Sequence, residues 1–170
     1  MSLSEQEQIR RESLAELRKL GIDPYPAAEY KTNVFARDII DNFHPENNKF
    51  NDVCLAGRIM SRRIMGNASF AEIMDSTGRI QIYVKRDEIC KGQDKTFYNN
   101  VFKHLLDIGD IIGVKGHVFK TQTGETTVHV NELTLLSKSV RPLPMRKRRP
   151  SSVSTSSAPT LPCSRPLPGM

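Results

Sequence analysis

Apolar residues along this chain recur first at helical and then at strand spacing. Over residues 4–20, SEQEQIRRESLAELRKL, Ile9, Leu14, Leu17 and Leu20 share one helical stripe. Ser4 with Glu7 three residues later is a capping box, Gly21 is a stop signal, and DPYP resists continuation. The stripe is narrow, and Arg10, Arg11, Arg18 and Lys19 lie elsewhere around the helix. That predicts a helix leaning on a neighbour, its charged face solvated. Residues 31–50 are mixed, with a short helix expected within VFARDIIDNF.

From Asp52 the pattern turns to strands. VCLAGRIMSRRIMG is long enough to bend, and Gly57 offers a place to do so. GNASFAEIMDSTGRIQIYVK then reads as a hairpin turning at DSTG. Ile80, Ile82 and Val84 fall on one face of its second strand, and Arg79, Gln81, Tyr83 and Lys85 on the other. The first strand sets Ala71 and Ile73 against Phe70 and Glu72. Phe70 is thus an apolar ring among polar positions, so it either covers a neighbour or serves something outside the protein. DKTFYNNVFKHLL carries two helical sets, Phe97, Val101, Leu105 or Tyr98, Phe102, Leu105, and two more strands follow around the turn TQTG.

Three strands, a helix and two strands are the plan of a small closed Greek-key barrel, the OB-fold, whose ligand face is built from the middle strands and flanking loops. The expected fold class is therefore α+β, mainly β: a five-stranded OB-fold barrel over 51–138, preceded by an N-terminal helix and connecting segment over 1–50. A linker and low-complexity tail over 139–170 completes the chain. MRKRRPSSVSTSSAPTLPCSRPLPGM is rich in Ser and Pro, has no Asp or Glu, and is expected to be disordered.

Composition narrows the picture only slightly. The formal charge of +6 suggests a polyanion partner, but five of the 25 basic residues lie from Arg146 onward with no acidic residue among them. The rest of the chain carries 20 basic against 19 acidic residues, so bulk electrostatics alone does not identify a nucleic-acid binder. Cys54, Cys90 and Cys163 form neither a disulfide framework nor a zinc pattern, the four histidines show no ligand spacing, and no run approaches a membrane span or a signal peptide. A cytoplasmic location, no membrane contact, no metal and no cofactor for this chain are the resulting expectations. There is no nucleophile–base pair and no Gly-rich phosphate loop with its lysine, hence no catalytic residue to nominate.

If the barrel faces are right, Arg63, Phe70, Gln81 and Glu125 converge on one surface. An exposed ring stacks on the π-face of any base, for about 1–3 kcal/mol per base. Arg63 suits a phosphate or a base plane. Glu125 is the informative residue, because a carboxylate repels phosphate but accepts from the N3–H of uracil and repels the N3 lone pair of cytosine. Gln81 offers a donor for a uracil carbonyl. Taken singly, each has an ordinary explanation: Phe70 as a cross-strand partner, Glu125 as a hydrophilic turn residue.

Four stretches, RRESLAELRKLGIDPYP, AGRIMSRRIMGNASFAEIMDSTGRIQIYVKRD, LDIGDIIGVKGHVFKTQTGE and LTLLSKSVRPLP, closely resemble the N-terminal part of bacterial-type class II lysyl-tRNA synthetases, from Glu5 to Pro144. Within that span ICKGQDKTFYNN is slightly longer than the family's usual form. The resemblance implies an anticodon-binding OB domain. By motif, Phe70 of ASF matches the family's base-stacking aromatic, Gln81 of RIQIYV and Glu125 of TGE match readers of the central uridine, and Arg63 of SRR matches an arginine of the same surface. Related aspartyl and asparaginyl enzymes also read a central uridine, so lysine specificity follows from the family match. The implied partner is the anticodon loop of tRNA-Lys, and the intact enzyme is implied to be a homodimer using ATP and Mg2+ to attach lysine to tRNA. After RPLP the family continues into its catalytic domain, whereas this sequence changes composition sharply. The expectation is a truncated or frame-shifted product that does not charge tRNA by itself. A free-standing single-stranded nucleic-acid-binding OB module is the alternative.

Overall fold

Five strands carry the alternation: β1 Val53–Met65, β2 Ala68–Met74, β3 Arg79–Lys85, β4 Ile111–Lys120 and β5 Thr126–Ser137. In the computed structural model, which describes residues 3–47 and 49–144, they close into a barrel in the order β1-β2-β3-β5-β4. The β3–β5 pair is parallel and the other four are antiparallel. This is the OB-fold expected from the element order. The tail expected to be disordered, from Met145 onward, lies outside the described residues.

β1 serves both halves of the barrel. Its first part, to Arg58, pairs with β4, and from Arg58 onward it pairs with β2, with a register break between Ile59 and Ser61. Gly57 sits where β2 approaches: a Cβ there would lie 2.9 Å from the Met74 carbonyl oxygen. The bend thus comes one turn of the pleat later than the glycine, which instead permits the close crossing. Inward residues such as Leu55, Ile59, Ile82, Val84, Val114 and Val128 are buried and form one core.

Between β3 and β4 lie the short helix α3, Arg86–Ile89 (numbered after α1 and α2 below), and a π-helix, Phe97–Leu105, in which the Leu106 N–H bonds to the Val101 carbonyl. The wide winding turns members of both expected apolar sets inward, burying Tyr98, Val101 and Phe102. The buried Tyr98 hydroxyl is satisfied by Ser69 Oγ at 2.7 Å. Arg62 closes the helix end, donating to the carbonyls of Phe102 and Leu106.

α1, Glu5–Lys19, has the expected capping box at Ser4 and Glu7. It ends in a Schellman arrangement, with Ile22 N–H on the Leu17 carbonyl and Gly21 N–H on the Arg18 carbonyl, Gly21 taking φ 75°. The face it buries, however, differs from the expected stripe: Arg10, Ser13 and Leu17 are inside, while Ile9 and Leu20 are exposed. Arg10 therefore does not belong to a solvated charged face. Its guanidinium donates to the carbonyls of Ile108 and Ser139, which a helical period cannot reveal because these acceptors lie 98 and 129 residues away in sequence.

α2, Ala36–Asn42, falls within the expected segment. Phe35 at its cap position offers no side-chain acceptor, and Asp75 of the hairpin turn takes that role. The Asp75 carboxylate accepts from Ala36 N–H at 2.7 Å, Thr77 N–H at 2.7 Å and Gly78 N–H at 3.0 Å. Burial pushes this carboxyl up, but hydrogen bonds from Ala36, Thr77 and Gly78 outweigh it and hold the group below its ordinary value. A lowered folded-state value means that the contribution is present above about pH 4 and is lost as pH falls through the folded-state value. Asp75→Ala is expected to cost about 1–2 kcal/mol at pH 7 in urea unfolding. The stability gap from wild type should narrow in acid. A gap that persists unchanged at the lowest pH where both fold would remove the ionised cap from the account.

Candidate nucleic-acid interface

The outward faces of the strands line up in rungs. Strand register places Arg63 opposite Phe70, Phe70 opposite Tyr83, Tyr83 opposite His129, and His129 opposite His117, crossing the whole barrel wall. The next rung runs Ser61, Glu72, Gln81, Thr127, Phe119. Glu125, just before β5 and two residues ahead of Thr127, extends that face into the β4–β5 turn.

The β1, β2 and β3 members of these rungs, with Phe119, line a groove of about 760 Å3, and Arg63, Phe70, Gln81 and Glu125 all contribute to its wall. The structure thus brings together the whole set nominated from sequence. It also answers the question about Phe70: the ring does cover a neighbour, Tyr83, with centroids 5.0 Å apart and planes tilted 48°. It is only partly covered, and its remaining surface faces the groove. The two readings of an apolar residue on a polar face are compatible here.

Sequence reasoning missed the rest of the aromatic wall. Tyr83 stands edge-on to Phe119 at 6.1 Å and stacks on His129 at 5.3 Å. Tyr83 was legible by alternation with Gln81, whereas Phe119 and His129 come into line only through β4–β5 and β3–β5 pairing. Gly116 permits that alignment, because a Cβ there would lie 1.8 Å from the His129 carbonyl oxygen. Burial is the main cause that pushes the His129 imidazole down. Glu88 opposes this, and His117 and Lys85 add to it. The imidazole of His129 is thereby biased towards its neutral form.

The carboxylates of the groove differ in their circumstances. Glu72 is held by Arg79, Nη1 to Oε1 at 2.9 Å. Glu125 is exposed, and its carboxylate has no partner among the described residues, although its backbone is fixed. The Glu125 N–H donates to Thr121 Oγ1 at 3.1 Å, and its carbonyl accepts from Thr121 N–H at 3.0 Å. Gln81 is oriented too: its Oε1 accepts from the Thr127 hydroxyl at 2.8 Å, leaving the amide nitrogen for the groove. Arg63 is exposed at the open end. An aromatic ring, a free carboxylate acceptor, an oriented amide donor and a guanidinium are groups with the chemistry to stack on a flat ring, accept from it, donate to it and pair with an anion. Among the described residues, no cluster of His, Cys, Asp or Glu could hold a metal ion, and no helix is long and apolar enough to cross a membrane.

Comparison with known proteins agrees with the fold. Residues 53–136 match the tRNA anti-codon family, described as an OB-fold nucleic acid binding domain. Over 154 residues the chain is 59% identical to the lysine–tRNA ligase of Porphyromonas gingivalis, covering 90% of this chain and 27% of that protein. The corresponding enzyme of Christiangramia forsetii is 57% identical over 145 residues, 85% of this chain and 25% of that protein. That of Azobacteroides pseudotrichonymphae is 56% identical over 147 residues, 86% and 29%. The chain therefore spans 25–29% of the length of these relatives. By fold and sequence together, residues 53–136 belong to the tRNA anti-codon family of OB-fold nucleic acid binding domains, in a chain similar to part of the lysine–tRNA ligases.

Proposed function

We propose that the groove holds the anticodon loop of tRNA-Lys and reads its central uridine. Phe70 carries the base on its exposed face, Glu125 accepts from uracil N3–H, Gln81 donates to a uracil carbonyl, and Arg63 engages the adjoining phosphate or base plane. The observation that carries this reading is the joint placement of those four side chains around one groove, with the Glu125 carboxylate uncommitted. In a chain of the relatives' length the module would serve ATP- and Mg2+-dependent attachment of lysine to tRNA by a cytoplasmic homodimer. The described residues hold no donor set for a metal, so that chemistry is assigned to none of them.

The test is binding of anticodon stem-loops bearing U or C at the centre. Wild type should prefer U, and Glu125→Gln should lose about tenfold of that preference, because an amide can turn either its oxygen or its nitrogen towards the base. Equal weakening on both loops would reduce Glu125 to a scaffold role. A second reading, a general single-stranded nucleic-acid module, is favoured by the sequence-tolerant rings of Phe70, Tyr83 and Phe119 in the wall. Poly-U binding as tight as that of the stem-loop would support it.

A further inference from the structure

The geometry points to Thr127 as a positioning residue that sets the uracil preference by fixing which end of the Gln81 amide faces the groove; this rests on the base-reading assignment above. Thr127 lies on the outer face of β5 yet is fully buried, covered by its neighbours on that face. It pairs with Gln81 across the parallel β3–β5 contact, and its hydroxyl donates to Gln81 Oε1 at 2.8 Å. The other acceptor within reach is the Glu125 carbonyl at 3.4 Å, which already takes the Thr121 N–H at 3.0 Å.

A glutamine amide is by itself indifferent: turned one way it donates to the groove, turned the other way it accepts. Rotating Gln81 would put its Nε2 against the Thr127 oxygen and leave the hydroxyl proton with only the long contact to Glu125. A buried hydroxyl proton without a good acceptor is costly, so the short bond selects the orientation with Oε1 inward and the NH2 group outward. An outward NH2 directed at the 4-position of the base suits uracil O4 and meets the amino group of cytosine donor to donor. Without the hydroxyl, the amide is free to turn and accept from that amino group. Thr127 touches no base in this account; it acts only through Gln81.

Thr127→Val keeps the shape and removes the hydroxyl. It should leave binding to the U-centred stem-loop within about twofold, while binding to the C-centred loop tightens so that the preference falls about fivefold. Thr127→Ser should retain the wild-type preference. Thr127→Ala, which adds no methyl, is measured in parallel so that misfolding of one variant leaves the other to decide. A merely structural Thr127 would weaken both loops together, and that result would overturn the proposal. So would an undiminished preference in folded Val and Ala variants. If wild type itself shows no preference, the base-reading assignment falls and takes this inference with it. If wild type prefers U and the hydroxyl-free variants do too, only the role of Thr127 fails.

Discussion

Replacing Lys138 with methionine is expected to cost about 3–5 kcal/mol of stability, the largest effect of any single change considered in this chain. The Lys138 side chain is fully buried at the exit of β5. Its ammonium lies 2.9 Å from Asp110 Oδ2 and 2.5 Å from Asp107 Oδ2. Asp110 is also fully buried and accepts from the N–H groups of Asp107 and Ser139, both at 2.8 Å. Arg10 adds bonds to the carbonyls of Ile108 and Ser139, and the Tyr25 hydroxyl donates to the Lys138 carbonyl at 2.8 Å. Lys138 thus joins the β4 entry loop to the β5 exit, and Arg10 ties α1 to both. Removing the Lys138 ammonium strands a carboxylate where water cannot reach. Urea unfolding measures the loss. Adding Asp110→Asn to the Lys138→Met variant should cost clearly less than Asp110→Asn costs in wild type, since the charge left unpaired is then gone. A Lys138→Met loss under 1 kcal/mol would mean that the cluster is hydrated in solution.

The second large effect is on binding. Phe70→Ala should weaken binding of the anticodon stem-loop by about 5–150-fold, matching the 1–3 kcal/mol typical of one base–aromatic stack. U-centred and C-centred loops should weaken alike, because stacking does not distinguish pyrimidines, in contrast to the selective effects at Glu125 and Thr127. The stability cost should stay below about 1 kcal/mol, the scale of a cross-strand aromatic pair. That asymmetry separates the two roles of the ring. If stability fell by more than that while affinity held, Phe70 would be only the partner of Tyr83. Fluorescence-detected titration with the unfolding curve of the same preparation supplies both numbers.

Much of the candidate site was legible because strand periodicity is local. Alternation within a hairpin states which side chains share a face before any partner is known, and so Phe70, Gln81 and the inward Ile80, Ile82 and Val84 were placed correctly. The capping box at Ser4 and Glu7 and the stop at Gly21 are equally local, and both are present as read. Glu125 was nominated through its chemistry, since a carboxylate on a surface expected to meet RNA demands a reason.

What the chain alone could not disclose were contacts between residues far apart in sequence. Thr127 and Gln81 are 46 residues apart, and Arg10 and its Ser139 acceptor 129. A threonine early in a strand and an arginine on a helix look like ordinary surface residues until the β3–β5 pairing and the docking of α1 bury them. Side-chain type and spacing therefore settled the element order, the barrel plan and the groove's first residues. Long-range packing decided which polar groups lost water, and a polar group that loses water must take a fixed partner. That necessity gives Gln81 its orientation and Arg10 its place.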